Sequence, residues 1–184
     1  MGSDRVLYLL GSAAPAVLDL PAVIERAQTA GWNVCLGLTS SAAAWLREDF
    51  PALEELTGRP IRHRHRIAGE LDPWPPASAA LVAPATFNTI NSWALGLTSE
   101  WLVAFAAEAI GKRIPLVLLP SVNSALAAHP QFDRSLETLR GAGVRVLYGE
   151  DEFAPHAPKQ GNPAKFPWDA GLAAIEQAWA ERQP

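Results

Sequence analysis

Three short stretches of this sequence gather the residue types that hold a phosphate or orient a small polar ligand. They are Gly11-Ser12-Ala13-Ala14, Thr39-Ser40-Ser41 and Pro84-Ala85-Thr86-Phe87-Asn88. Each follows a short apolar run and opens into a segment of helical periodicity. Each therefore offers backbone N–H groups, small side chains and a helix start in one place, which suits a phosphate. Neither a GxGxxG fingerprint nor a Walker A sequence is present, which disfavours a dinucleotide or a nucleoside triphosphate and favours a mononucleotide with one phosphate. The same polar residues also read as plain helix caps, with Thr86, Asn88 or Thr89 at the start of the third helical segment, and both readings stand.

The elements that must position these loops come from hydrophobic patterning. Leu81-Val82-Ala83 is the centre of a short apolar run of the kind buried on both faces of a sheet. Similar runs cover 5–10, 32–38, 114–119 and 144–148, and 60–66 ("PIRHRHR") reads as a short third strand with alternating polar faces. Helical spacing covers 19–30, 42–50 ("AAAWLREDF"), a long apolar-periodic segment that ends near Gly111, 131–140 and 169–180. Strands alternating with helices imply parallel pairing and right-handed crossovers. The expected architecture is α/β, a Rossmann-like three-layer sandwich with a mostly parallel six-stranded sheet, in one domain over residues 1–184. With strand order 3-2-1 followed by the 81–85 strand and its successors, the chain reverses beside the first strand. The loops at Gly11 and Pro84 then splay around a crevice, where open α/β sheets bind ligands. The Pro-rich stretches 69–77 and 149–168 read as loops, the second running over the surface.

Composition narrows the classes. Hydrophobic residues make up 49% of the 184 residues, so the chain is globular. A net charge of −4 argues against nucleic acid as the main partner. The single cysteine, Cys35, lies in an apolar run and reads as a buried filler; with no second cysteine to pair, it fits a reducing compartment. No signal-like region and no uninterrupted transmembrane-length run is visible, so a cytoplasmic protein without membrane contact is expected. No metal site is assigned.

The sequence "APATFNT", Ala83 to Thr89, resembles the Pro-Ala-Ser-Ala-Asn-Thr signature of the flavin-dependent cysteine decarboxylase flavoproteins. That family includes phosphopantothenoylcysteine decarboxylase and the enzymes that decarboxylate C-terminal cysteines of lantibiotic-type peptides. Gly11-Ser12, Thr39-Ser40 and "PSVNSAL" (Pro120 to Leu126) resemble further family motifs in the same order, and the resemblance runs from Val6 to about Leu147.

The resemblance implies FMN as cofactor, held by Gly11, Ser12, Ala13, Thr39, Ser40, Pro84, Ala85, Thr86, Phe87 and Asn88. It implies Asn88 and Asn123 as functional side chains, with Asn123 reaching a substrate carboxylate. It also implies a homotrimer or a homododecamer, and the apolar segment "SWALGLTSEWLVAFAAEAIG" read as one helix has more apolar circumference than one sheet face can bury. The family's catalytic histidine is missing: near 68–70 the sequence reads "IAGELDPW", where Glu70 could act as a base if buried and is a plain loop carboxylate if exposed. His63 and His65 alternate with arginines and read as a solvated basic edge, with a shifted base as the alternative. The family's late Gly-Cys-Gly is replaced by "APHAPKQGNPAKFPW". The implied activity is a flavin-dependent redox or oxidative decarboxylation reaction on a small carboxylated substrate or a peptide C-terminus. The alternative is an FMN-binding protein without decarboxylase activity, regulatory or flavin prenyltransferase-like.

Overall fold

The computed structural model describes residues 5–149 and 153–182. Its centre is a five-stranded parallel sheet of β1 (Val6–Gly11), β2 (Asn33–Leu38), β3 (Ala79–Ala85), β4 (Leu116–Pro120) and β5 (Arg145–Val146), in the order β2-β1-β3-β4-β5. β1 pairs with β2 over its whole length, Val6 opposite Asn33 to Gly11 opposite Leu38, and with β3 from Leu7 opposite Ala79 to Leu10 opposite Val82. Every residue of β1, β3 and β4 is buried, which is why these strands read as unbroken apolar runs rather than alternating ones.

The expected sixth strand is corrected. The 60–66 stretch occupies the predicted outer edge beside β2, but its ladder is a single bridge between Arg62 and Gly37. Leu38 N–H donates to Arg62 O at 2.8 Å and Arg62 N–H to Leu36 O at 3.2 Å. Beyond that point the arginines leave the ladder for carboxylates: Arg62 pairs with Asp72 at 3.2 Å and Arg64 with Glu70 at 2.8 Å. Pro60 has no N–H to extend the pairing the other way.

Helices α1 (Leu20–Thr29), α2 (Ser40–Trp45) and α3 (Phe50–Thr57) belong to the first half, α2 and α3 being separated by a 3-10 turn at Arg47–Asp49 where one helix was expected. The long apolar segment after β3 is also two helices, α4 (Phe87–Ala94) and α5 (Trp101–Gly111). Gly96, at φ +69°, takes the left-handed conformation that ends the first of them. The premise of one helix apolar all round is therefore overturned. Trp101, Leu102, Val103, Ala106 and Ala109 are buried within the chain, while Leu95 and Leu97 at the turn are each 57% exposed. Helices α6 (Ser124–Ala127), α7 (Pro130–Gly141) and α8 (Trp168–Ala180) complete the order. α8 lies over β3 and β4, where Gly171 permits close approach: a Cβ there would sit 3.3 Å from Leu119 Cδ2. None of the described helices is long and apolar enough to cross a membrane.

Candidate functional site

A cleft of about 950 Å³ opens at the carboxyl ends of β1, β3 and β4. Ala13 follows β1, Thr86, Phe87 and Asn88 follow β3, and Ser121 and Asn123 follow β4; the 153–167 segment forms the opposite wall. This is the crevice beside the point of strand reversal, and its size is that of a small-molecule or cofactor site.

The strand ends are locked together by backbone hydrogen bonds. Ser12 N–H donates to Pro84 O (2.9 Å), Thr39 N–H to Gly11 O (3.0 Å) and Ser121 N–H to Ala85 O (2.8 Å). Pro84 stands where the β3–β4 register shifts between Val82 and Ala85, a position that tolerates a missing N–H. Gly11, Pro84 and Ala85 thus frame the cleft without lining it. Gly11 is also held small by packing, since a Cβ would lie 3.2 Å from Val17 Cγ2 and 3.3 Å from Leu38 Cδ2.

The hydroxyls expected at a phosphate are engaged within the protein. Ser12 is buried, its Oγ 2.9 Å from Thr89 Oγ1, which lies 3.1 Å from Thr86 Oγ1. Thr86 also caps α4, accepting from Thr89 N–H, and Thr39 caps α2, accepting from Ala42 N–H at 3.3 Å. Ser40 is exposed, and both its N–H (3.1 Å) and its Oγ–H (3.0 Å) donate to Glu100 Oε2. A carboxylate therefore rests where the sequence suggested a phosphate.

Phe87, Asn88 and Asn123 are among the expected site residues that line the cleft. Phe87 stacks on Phe132 with ring centroids 6.2 Å apart and meets His129 edge-on at 5.6 Å. Asn88 is exposed, and its amide has no protein partner among the described residues. Asn123 Oδ1 accepts from Leu126 N–H at 3.0 Å, capping α6, so its NH₂ is left to donate. Capping and ligand contact are compatible here, because they use different ends of one amide.

Glu70 is corrected as a candidate base. It does not line the cleft, and its carboxylate accepts from Arg64 Nη2 at 2.8 Å and from Ile67 N–H at 2.9 Å. The Arg64 hydrogen bond, then the Ile67 one, hold its pKa down to about 2, and so acidic a carboxyl is a poor base. His63 stays near Phe50 (5.7 Å between ring centroids), and His65 Nε2 lies 3.1 Å from Ser99 O. Cys35 is buried as expected, and desolvation pushes its thiol up to about 12, outside the range of a nucleophile.

The opposite wall of the cleft was not expected from the sequence. His156, Lys159 and Lys165 all line the cleft, from the stretch expected to be a surface loop. One signal was available: a stretch of this length with almost no regular structure is uncommon in a compact fold unless it serves function.

The chain belongs to the Flavoprotein family, whose model matches residues 2–180. Over 97 residues it is 31% identical to the coenzyme A biosynthesis bifunctional protein CoaBC of Thermococcus kodakarensis. That match covers 53% of this chain and only 23% of the relative. Among solved structures it resembles the FMN-dependent cysteine decarboxylase TvaF from thioviridamide biosynthesis (TM-score 0.73, 21% identity, 97% of this chain and 99% of that one). It also resembles AnUbiX (PadA1), solved with FMN and dimethylallyl pyrophosphate (TM-score 0.71, 14% identity, 97% of this chain and 93% of that one). At these identities the solved structures establish the fold, a Rossmann-like flavoprotein fold.

Proposed function

We propose that the protein binds FMN in the cleft and supports a flavin-dependent redox or oxidative decarboxylation reaction on a small carboxylated substrate or a peptide C-terminus. The observation that carries this is the pair of amides, Asn88 after β3 and Asn123 after β4, on one cleft of about 950 Å³ in a member of the Flavoprotein family. The cleft fits a flavin ring: it has that volume, an aromatic residue, Phe87, beside an amide without a protein partner, and backbone from three strand ends. Ala13, Thr86, Phe87 and Asn88 would hold the ring. The phosphate end falls to Ser12, Thr39 and Ser40 once the Glu100 carboxylate yields Ser40, a displacement one anion can make on another.

Bound FMN supplies two-electron oxidation, and the chain's residues supply placement. Asn88 would donate to or accept from the ring edge, and Asn123 NH₂ would donate to a substrate carboxylate while Leu126 N–H in α6 holds its Oδ1. A second reading, an FMN protein without decarboxylase activity that is regulatory or prenyl-transferring, draws on Lys159 and Lys165, whose charges suit a phosphorylated ligand. A homotrimer or homododecamer is proposed as the assembly, supported by the exposed Leu95, Leu97 and Trp45, and a cytoplasmic location goes with the cysteine usage.

The decisive experiment is reconstitution with excess FMN, followed by the absorption spectrum, and assay of carbon dioxide release from a cysteine-ended peptide. Asn88→Asp should retain the fold and alter the flavin's reduction potential or turnover, because a charge replaces an amide at the ring. Failure to bind FMN would remove the proposal, and FMN binding without carbon dioxide release from any thiol carboxylate would select the second reading. Sedimentation as a monomer at micromolar concentration would remove the trimer.

A further inference from the structure

We infer that His156 is a proton acceptor of the cleft, its Nε2 taking the proton from the thiol of a cysteine-like ligand seated beside Asn88 and Asn123. This rests on the decarboxylase reading above and names the base that reading lacks. In the step, the S–H bond breaks with its electron pair left on sulfur and an N–H bond forms at Nε2. The products are a thiolate and an imidazolium, and no oxidant is consumed.

Position comes first. The backbone of His156 forms a parallel bridge with Asn123, and Ser124 N–H donates to His156 O at 2.8 Å. The histidine is therefore tied to the loop that carries the ligand-facing amide, and it lines the same cleft. Of the cleft's described lining residues only His156, Lys159 and Lys165 titrate, and of these only a histidine is an accessible base near neutral pH.

The proton inventory of the ring follows from one contact. Nδ1 lies 2.8 Å from the carbonyl oxygen of Ala157. A carbonyl only accepts, so Nδ1 carries the hydrogen and the lone pair of the neutral ring is at Nε2. Nε2 has no protein partner among the described residues.

Gly161 makes room for the ring that carries that lone pair. A Cβ at 161 would fall 2.6 Å from Nε2 and 2.8 Å from Cε1 of His156. Gly161 is absent from the positive-φ glycines, so the backbone itself does not require glycine there. What requires it is the imidazole packed against it. The loop thus spends a glycine on holding this ring in place, an arrangement that a solvated surface histidine does not need. Lys159 and Lys165 line the same wall, and their charges suit a thiolate formed in the cleft.

The test is nitrogen-15 NMR of the histidine-labelled, FMN-loaded protein at pH 7.5, with a peptide ending in cysteine and the same peptide ending in serine. Binding of the cysteine peptide should protonate His156 Nε2, and binding of the serine peptide should not. His156→Gln should keep its flavin, bind the cysteine peptide without the ultraviolet absorbance of a thiolate, and lose about 100-fold or more in kcat. Gly161→Ala should displace the ring and fall between wild type and that variant. The inference is overturned if Nε2 stays unprotonated with the cysteine peptide bound, or if His156→Gln ionises the thiol as wild type does. Wild type that ionises the thiol but releases no carbon dioxide removes the decarboxylase reading and leaves the proton acceptor standing. Failure of both peptides to bind overturns both.

Discussion

Two proline-rich loops flank the sheet of this protein, and they have opposite fates. The 69–77 loop closes on itself: Glu70 N–H donates to Ile67 O at 3.0 Å, Glu70 takes Arg64, and Trp74 is buried with its indole N–H on Pro60 O at 2.9 Å. Its aromatic anchor meets Tyr8 at 4.7 Å and Trp101 at 5.4 Å, beside a separate cavity of about 560 Å³ between this loop and α5. The 153–167 loop is instead bonded across the cleft, through His156 O to the start of α6. It is anchored by a run of aromatic contacts from Tyr148 through Phe153 and Phe166 to Trp168. Both loops are anchored by buried aromatics. What decides which one serves the site is where the backbone between the anchors finds its partners.

That contrast is broken most forcefully by removing an anchor from each loop. Phe166→Ala and Trp74→Ala each delete a nearly buried ring, and each should lower unfolding free energy by about 3 kcal/mol in urea titration. Their effects on the cleft should separate. Phe166→Ala frees the wall that carries His156 and Lys165, so FMN retention and peptide affinity should fall with stability. Trp74→Ala should leave flavin content near that of wild type at temperatures where it is folded. Equal loss of flavin in both variants would mean that the two loops are coupled through the sheet.

The unequal legibility of the molecule has the same root. β1, β3 and β4 are buried on both faces, so their sequences are apolar without interruption, and the crevice followed from their order. Asn88 and Asn123, which the family resemblance singled out, each stand just beyond such a strand and line the cleft. The break between α4 and α5 was passed over: apolar residues continue through Leu95 and Leu97, although Gly96 and the polar run Thr98-Ser99-Glu100 mark it. The 60–66 strand was overread because its alternation of arginine and histidine mimics a two-faced strand, while its charges are satisfied by Asp72 and Glu70 downstream. Prolines in 153–167 announced that long helices and strands are absent there but carried no information on the path. That path is set by the hydrogen bond from Ser124 N–H to His156 O and by aromatic contacts from Tyr148 through Phe153 and Phe166 to Trp168.

A medium effect sharpens the part Asn123 plays at the junction of the second loop. Asn123→Ala removes both the cap on α6 and the donor to the cleft, so it should cost about 1 kcal/mol of stability together with ligand affinity. Asn123→Asp separates the two, because aspartate caps as well as asparagine but presents a carboxylate in place of an NH₂. It should melt with wild type and reject a carboxylated ligand, read by calorimetry on the cysteine-ended peptide. Retained affinity in the aspartate variant would make Asn123 a cap alone.

The smallest expected effect belongs to the loop that stays away from the cleft. Glu70 titrates near 2 when folded and near its ordinary value of 4.5 when unfolded, because Arg64 and Ile67 N–H bond its ionised form. A folded pKa below the unfolded one means that the unfolded chain binds the proton more readily. The stabilisation is therefore present above about pH 4.5 and disappears as the pH falls toward 2. The pair is solvent-exposed, so its contribution is small and screened by salt. Glu70→Gln should thus be slightly less stable than wild type at pH 7 in low salt. The gap should close between pH 4.5 and 2, and close at pH 7 in high salt, as followed by thermal melts of the two proteins side by side. Turnover and flavin content should not change. A Glu70→Gln variant that keeps its flavin but loses activity would show that this loop reaches the cleft of another copy, and the contrast between the two loops would then hold within one chain only.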